Sequence, residues 1–282
     1  MPDSSPSQRR PSRRQLAVLG MVLALAATTL LAERPLTAPM TEQTEIAELT
    51  WVEVRGLLGR GFTTALVPSG GLEQNGPHLA IGKHDRIVAY TAGRIAAALG
   101  RTLVTPVVSF VPQGAYAPPI GHMRFPGTIG VPEEVFAGTL EGIARSLKTA
   151  GFRLICFIAD HGDSLPAQNA VAERLGREWA GEGIKVVSVT GYAADAAQLA
   201  FLASEGESPA AIGRHGGIQD TSELLAAYPA GVKLERWTSR PAWSEPTGSD
   251  GDPTRASAER GRRLLDMKVD AAVAAIRAAR GE

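Results

Sequence analysis

Four side chains that can bind a metal ion or carry a proton lie within a stretch of thirteen residues: Glu73, His78, His84 and Asp85. Carboxylates and imidazoles are common protein ligands of zinc, manganese and iron. The four lie just after a short apolar run at 63–67. A surface loop with scattered polar residues is the alternative interpretation. Glycines in the same stretch favour a site instead, because they let the backbone turn sharply and direct side chains inward.

A second pair of such side chains, His161 and Asp163, directly follows the apolar run at 153–158. In a parallel sheet, ligands bind beyond the carboxyl ends of the strands, so the two segments are expected to face one crevice. Three carboxylates and two imidazoles suit a pair of divalent ions that share a bridging carboxylate and activate a water between them. The expected ligands are Glu73, His84, Asp85, His161 and Asp163.

Strands and helices alternate along the chain, which predicts an α/β fold. Continuous apolar strands are typical of a sheet that is covered on both faces. We therefore expect a three-layer α/β/α sandwich with a mostly parallel central sheet. The predicted strands are 63–67, 102–108, 153–158 and 185–189, and the predicted helices are 45–58, 86–99, 132–150, 167–180, 192–204 and 257–280.

The N-terminal region has the layout of an export signal. Arginines, including a Ser12-Arg13-Arg14-x-Leu16 order, precede an uncharged apolar run that extends to Ala32. This layout predicts a twin-arginine-like signal peptide over 1–32, a linker over 33–44 and one domain over 45–282. The protein is then exported, either to the periplasm or outside the cell. An uncleaved membrane anchor is the alternative, because the run is barely long enough to cross a bilayer.

Charge and cysteine content exclude several classes of protein. Without residues 1–32, four of 29 basic and one of 29 acidic residues are lost, so 25 and 28 remain and the net charge is −3. Such a balance gives no basic face for a nucleic acid. No second apolar span follows the signal, so no membrane association is expected after cleavage. Cys156 is the only cysteine, so no intrachain disulfide can form.

Four motifs, in order, resemble those of the creatininase (creatinine amidohydrolase) family. Glu73-Gln-Asn-Gly-Pro-His-Leu79 resembles its Glu-Gln-His-Gly-Pro-His-Leu signature, and Phe125-Pro-Gly-Thr-Ile129 resembles its Phe-Pro-Gly-Thr segment. Asp160-His-Gly-Asp163 lies where the family carries Asn-Gly-His. His215-Gly-Gly-Ile-Gln-Asp-Thr-Ser222 resembles its His-Ala-Gly-x-x-Glu-Thr-Ser segment.

The resemblance implies a role for each matching residue. Glu73 and His161 match metal ligands, Asp85 matches a bridging aspartate, and Asp163 matches a glutamate that some members use on the second ion. His215 matches a histidine close to the substrate and is the candidate proton carrier. Asp220 matches a glutamate position and is a candidate for proton transfer, for metal ligation or for orienting another group.

The resemblance also implies an activity and an assembly. Members are metal-dependent amidohydrolases with an α/β/α fold that act on cyclic amides, formamides or a modified peptide, and they are usually oligomeric. We therefore expect two divalent ions per chain (zinc, manganese or iron), a small-molecule substrate, and a homo-oligomer for which a hexamer is one candidate. The expected reaction is hydrolysis of a non-peptide C–N bond by metal-activated water.

The chain departs from the family at one ligand. Asn75 stands where the family has a metal-binding histidine, and one extra residue between Glu73 and Asp85 introduces His84. Our hypothesis is that His84 replaces the lost imidazole. Two rivals remain open: a lactonase or other C–O hydrolase that uses the same site, and a non-catalytic periplasmic binding protein that keeps only the fold.

Overall fold

The sheet consists of four parallel strands in the order β2-β1-β3-β4. The computed structural model of the chain describes residues 43–237 and 247–282. Within these, Thr44–Glu282 belongs to one compact unit. The predicted signal peptide and most of the predicted linker lie outside the described residues. None of the described helices is long and apolar enough to cross a membrane.

The main helices and strands alternate from the first strand to the fourth, as predicted. In chain order they are α1 (Trp51–Gly59), β1 (Thr64–Ser69), α2 (Lys83–Leu99), β2 (Thr102–Val104), α3 (Glu133–Ala150), β3 (Leu154–Ala159), α4 (Leu165–Glu178), β4 (Lys185–Ser188), α5 (Asp195–Ser204), α6 (Pro209–Ile212), α7 (Ile218–Ala227) and α8 (Ala258–Arg280).

Two differences from the predicted elements matter for the site. Helix α2 begins at Lys83, three residues earlier than predicted, so His84 and Asp85 lie in its first turn rather than in a loop. Helix α7 was not predicted, although it carries Asp220 in its first turn. In both places the helix start lacks a side-chain cap, so the usual sequence signal for a helix N-terminus is missing.

Every residue of β1 and β3 is buried, which means that helices cover both faces of the sheet. On one face, a core cluster joins Leu66 and Cys156 of the sheet to α2 and α8. Helix α4 contacts β3, β4 and α3. This is the predicted three-layer α/β/α sandwich.

Strands β1 and β3 are neighbours in register, with Ser69 paired to Ala159 at their carboxyl ends. The loop that carries Glu73 and the loop that carries His161 therefore leave the sheet side by side. This pairing confirms that the two segments face one crevice.

Candidate metal centre

Glu73 lies at the centre of a group of four histidines and is almost completely buried. Its Oε2 atom lies 2.7 Å from the Nε2 atom of His161 and 3.2 Å from the Nε2 atom of His84. Its Oε1 atom lies 3.2 Å from His122 Nδ1 and 3.2 Å from His215 Nε2. The two carboxylate oxygens thus face two separate pairs of imidazoles.

Each oxygen of Glu73, together with its two imidazoles, forms a group that could hold a metal ion. Two ligand atoms about 2.0–2.1 Å from one tetrahedral ion lie roughly 3.3 Å apart, close to the observed spacings. The buried Oε2 atom also has no hydrogen-bond partner among the described residues, although two imidazole nitrogens approach it. An orphaned carboxylate oxygen with converging imidazoles fits a divalent cation.

The loop that presents Glu73 is held from two sides. The Glu73 N–H donates to the Ile81 carbonyl at 3.0 Å, and the Gln74 N–H donates to Thr128 Oγ1 at 3.2 Å. Thr128 belongs to the Phe-Pro-Gly-Thr motif, which therefore supports the loop of the Glu-Gln-Asn-Gly motif. Asn75 is buried, and its amide donates to the backbone carbonyl of Glu73 at 3.1 Å.

His84 is directed towards Glu73 from the first turn of α2. Its other ring nitrogen, Nδ1, lies 2.8 Å from Asp160 Oδ2, so both nitrogens of this imidazole contact carboxylates. His84 lies beside Glu73 and His161, whereas the Asn75 amide is hydrogen-bonded to the backbone carbonyl of Glu73. This arrangement favours the hypothesis that His84 replaces the lost imidazole.

Asp85, predicted as a bridging ligand, is directed away from this group. Its Oδ1 atom accepts a hydrogen bond of 2.8 Å from the Gly71 N–H. In the first turn of α2, Asp85 is thus directed towards the backbone of the loop, whereas Lys83 and His84 line the cavity. The loop also packs closely here, because a Cβ atom on Gly70 would lie 2.7 Å from Asp85 Cα.

Asp163 lines the same cavity but is exposed, and it belongs to neither group of ligand atoms. Asp220 also lines the cavity, where it accepts from Lys83 Nζ at 2.7 Å and from the Gly216 N–H at 2.6 Å. Its contacts are those of a group that holds the loop after His215 in place. The cavity has a volume of about 360 Å³.

Burial and neighbouring charges shift the pKa values of the central groups in different directions. Burial raises the pKa of Glu73, but its contacts with His161 and His84 outweigh this and hold it well below the usual value. Burial lowers the pKa of His122 to about 4 and also lowers that of His215. Burial and Lys83 oppose protonation of His84, yet Asp160 and Glu73 raise its pKa.

Sequence reasoning missed two groups that contact the predicted ligands. His122 lies shortly before the Phe-Pro-Gly-Thr motif, where its position gives no ligand spacing. Asp160 directly precedes His161 and could have been suspected, since carboxylates often orient metal-binding histidines. His78, by contrast, contacts Thr221 Oγ1 at 3.0 Å and lies outside both groups.

Comparisons with known proteins agree with this fold. The family model for creatininase, described as creatinine amidohydrolase, matches residues 47–276. A creatinine amidohydrolase from Pseudomonas putida is 28% identical over 257 residues, which cover 84% of this chain and 98% of that protein. A mycofactocin precursor peptide peptidase from Mycolicibacterium smegmatis is 30% identical over 211 residues, which cover 73% and 81%.

Solved structures give the same result. A structure of creatininase with Mn has a TM-score of 0.69 and 26% identity, and covers 84% of this chain and 98% of that one. A mutant creatininase of Zn-Zn type has a TM-score of 0.64 and 25% identity, with 85% and 99% covered. Because the family model extends from α1 almost to the end of α8 and includes all four motifs, this chain belongs to the creatininase family.

Proposed function

We propose that this chain is an exported, metal-dependent amidohydrolase that hydrolyses a C–N bond outside a peptide backbone, in a cyclic amide or a formamide. The observation that carries the proposal is the buried Glu73 carboxylate, with His84 and His161 converging on one of its oxygens. The family supplies the reaction class, and the creatinine amidohydrolase relative supplies the kind of bond.

The first ion would be held by Glu73 Oε2, His84 Nε2 and His161 Nε2. When bound, such an ion polarises a substrate carbonyl and makes water more acidic. Three protein ligands leave a coordination position open, which is the arrangement of catalytic rather than structural sites. The cavity beside these residues falls within the range of small-molecule sites.

His215 is our candidate for moving a proton. Its Nε2 atom lies 2.7 Å from the Gln74 carbonyl oxygen and 3.3 Å from the Gln74 amide nitrogen, so at this place the ring can donate to the carbonyl or accept from the amide, depending on which ring nitrogen carries the hydrogen. Its lowered pKa keeps the ring neutral near pH 7, and it lines the cavity. Asp220 is assigned to positioning, because it holds Lys83 and the Gly216 N–H.

A second ion on Glu73 Oε1, with His122 and His215 as ligands, is the other arrangement that the geometry supports. Both imidazoles are neutral near pH 7 and lie 3.2 Å from this oxygen. The metal content separates the two arrangements. If each chain binds two ions, His215 is a ligand of the second ion. If each chain binds one ion, His215 binds no metal and can carry the proton.

Hydrolysis of a peptide bond is the second candidate activity, because several relatives are mycofactocin precursor peptide peptidases. The deciding experiment is a screen of the protein, loaded with zinc or manganese, against cyclic amides, formamides, lactones and short peptides. His161→Ala is the inactive reference. Hydrolysis of a cyclic amide or formamide that His161→Ala lacks supports the proposal.

Other outcomes of the same screen would replace the proposal. Turnover of lactones alone favours the C–O hydrolase, and turnover of peptides alone favours the peptidase. Tight binding of a compound without turnover favours the binding protein. Equal turnover by His161→Ala contradicts the metal site itself.

A further inference from the structure

A buried network of charges lies directly behind His84. Asp160 contacts His84 Nδ1 through Oδ2 at 2.8 Å, and its Oδ1 atom accepts from Lys268 Nζ at 2.8 Å. The hydroxyl of Tyr192 donates to the same Oδ1 atom at 3.2 Å. This carboxylate therefore contacts an imidazole, an ammonium group and a phenol hydroxyl, and is held from three sides.

The network continues away from the cavity. Lys268, in the middle of α8, also donates to Glu223 Oε2 at 2.9 Å. Glu223 belongs to α7, and its Oε1 atom accepts from the Gln198 amide of α5 at 2.7 Å. Three helices that follow the sheet in sequence thus fix the position of one aspartate beside one imidazole.

Such a network is costly as a means of holding helices together. Removing charged groups from water costs several kcal/mol per ion, and well-packed apolar residues often stabilise a core better than a buried ion pair does. The helices α7 and α8 already share apolar contacts through Leu224 and Leu265. The network ends on an imidazole of the candidate metal centre, which points to a role there.

An imidazole can bind a metal only through a nitrogen that carries no hydrogen. For His84 the nitrogen that faces Glu73 is Nε2, so the hydrogen has to be on Nδ1. An ionised carboxylate can only accept a hydrogen bond, so Asp160 selects this form of the ring. A carboxylate behind a metal-bound histidine also orients the ring and makes it a stronger ligand.

We propose that Asp160 is the positioning residue for His84 and that Lys268, with Tyr192, holds Asp160 in place for this task. The proposal rests on the metal centre proposed above and extends it to residues that bind no metal themselves. It assigns part of the function to the C-terminal helix α8, which carries none of the family motifs in this sequence.

The test compares three variants by the dissociation constant for zinc, measured by competition with a chromophoric chelator. Asp160→Asn removes the obligatory acceptor and should weaken binding about 10–100-fold. Lys268→Met should weaken binding to a smaller extent. Asp266→Asn is the matched control, because Asp266 lies two residues before Lys268 on α8 but pairs with Arg94 of α2 at 2.7 Å at the surface. It should bind zinc as the wild type does.

A second measurement needs no variant and so does not depend on the fold of a mutant. Nitrogen NMR of the metal-free wild-type protein, labelled on histidine and recorded at alkaline pH, reports which nitrogen of His84 carries the hydrogen. We expect the hydrogen on Nδ1. A hydrogen on Nε2 overturns the proposal, and so does a folded Asp160→Asn variant that binds zinc with wild-type affinity. Failure of the wild type to bind any divalent ion would instead overturn the proposed function.

Discussion

His84 places its Nε2 atom 3.2 Å from Glu73 Oε2, from the first turn of a helix rather than from a loop. Asn75, at the position of the family's missing histidine, instead holds the backbone of Glu73 through its amide. The imidazole that this chain lacks at position 75 is thus available at position 84.

His84→Ala should lose most of the affinity for zinc or manganese, because His84 is one of the three ligands in the group of Glu73, His84 and His161. Asn75→Ala removes no ligand atom of either group, so its metal content should remain near that of the wild type. Metal analysis of the two purified variants, after equal dialysis, checks this. The exchange is refuted if Asn75→Ala loses its metal while His84→Ala keeps it.

Two glycine substitutions should change stability in opposite directions. A Cβ atom at Gly261, at the start of α8, would overlap the Ser222 carbonyl of α7, where the backbone has little room to move. We expect Gly261→Ala to lower the free energy of unfolding by about 1–3 kcal/mol. Gly142 lies within α3 with open space around it, so Gly142→Ala should raise stability by roughly 0.5–1 kcal/mol.

Urea unfolding of both glycine variants measures these changes. The substitutions are the same, so the difference between them reports the contact of α7 with α8 rather than helix propensity. Equal effects would mean that the two helices can separate slightly without cost.

The thiol of Cys156 should be unreactive in the folded protein. It is fully buried in β3, and burial raises its pKa to about 12. A raised pKa leaves less thiolate at pH 8 than an exposed cysteine has, and the thiolate is the reactive form. A chromogenic disulfide reagent should therefore label the chain only after denaturant is added. Rapid labelling without denaturant would show that the centre of the sheet opens readily.

The fold could be predicted from the sequence because its strongest signals are local. The alternation of helices and strands and the continuous apolar strand at 153–158 predict the sandwich and the crevice. The site was harder to predict, because a shift of one residue in the start of α2 decides whether His84 or Asp85 faces Glu73. The start of α2 has no side-chain cap, so the sequence carries no signal for the residue at which the helix begins.

The supporting residues could not be predicted for a different reason. Lys268 and Glu223 lie 108 and 63 residues after Asp160, within helices whose patterns are otherwise ordinary. Their connection depends on how α7 and α8 pack against each other and against the sheet. Charged residues on a helix are usually solvated, and only the packing shows that these are buried.

Export by the twin-arginine route remains a prediction that the described residues do not address. Lysine at both arginine positions keeps the charge but removes the paired guanidinium groups. The Arg13→Lys, Arg14→Lys double variant should therefore accumulate as the full-length chain inside the cell, while the wild type is shortened and exported. Immunoblots of fractionated cells measure both forms. Export of the double variant would indicate another route, and an exported chain of full length would indicate an uncleaved anchor.

The central claim is that Glu73, and not Asp85, organises the metal centre. Elemental analysis of purified wild-type, Glu73→Gln and Asp85→Asn proteins, each saturated with zinc and then desalted, tests it most directly. The geometry predicts at least one zinc per wild-type chain, almost none in Glu73→Gln, and wild-type content in Asp85→Asn, whose carboxylate binds the Gly71 N–H. A wild-type chain without zinc, or an Asp85→Asn chain as empty as Glu73→Gln, would contradict it.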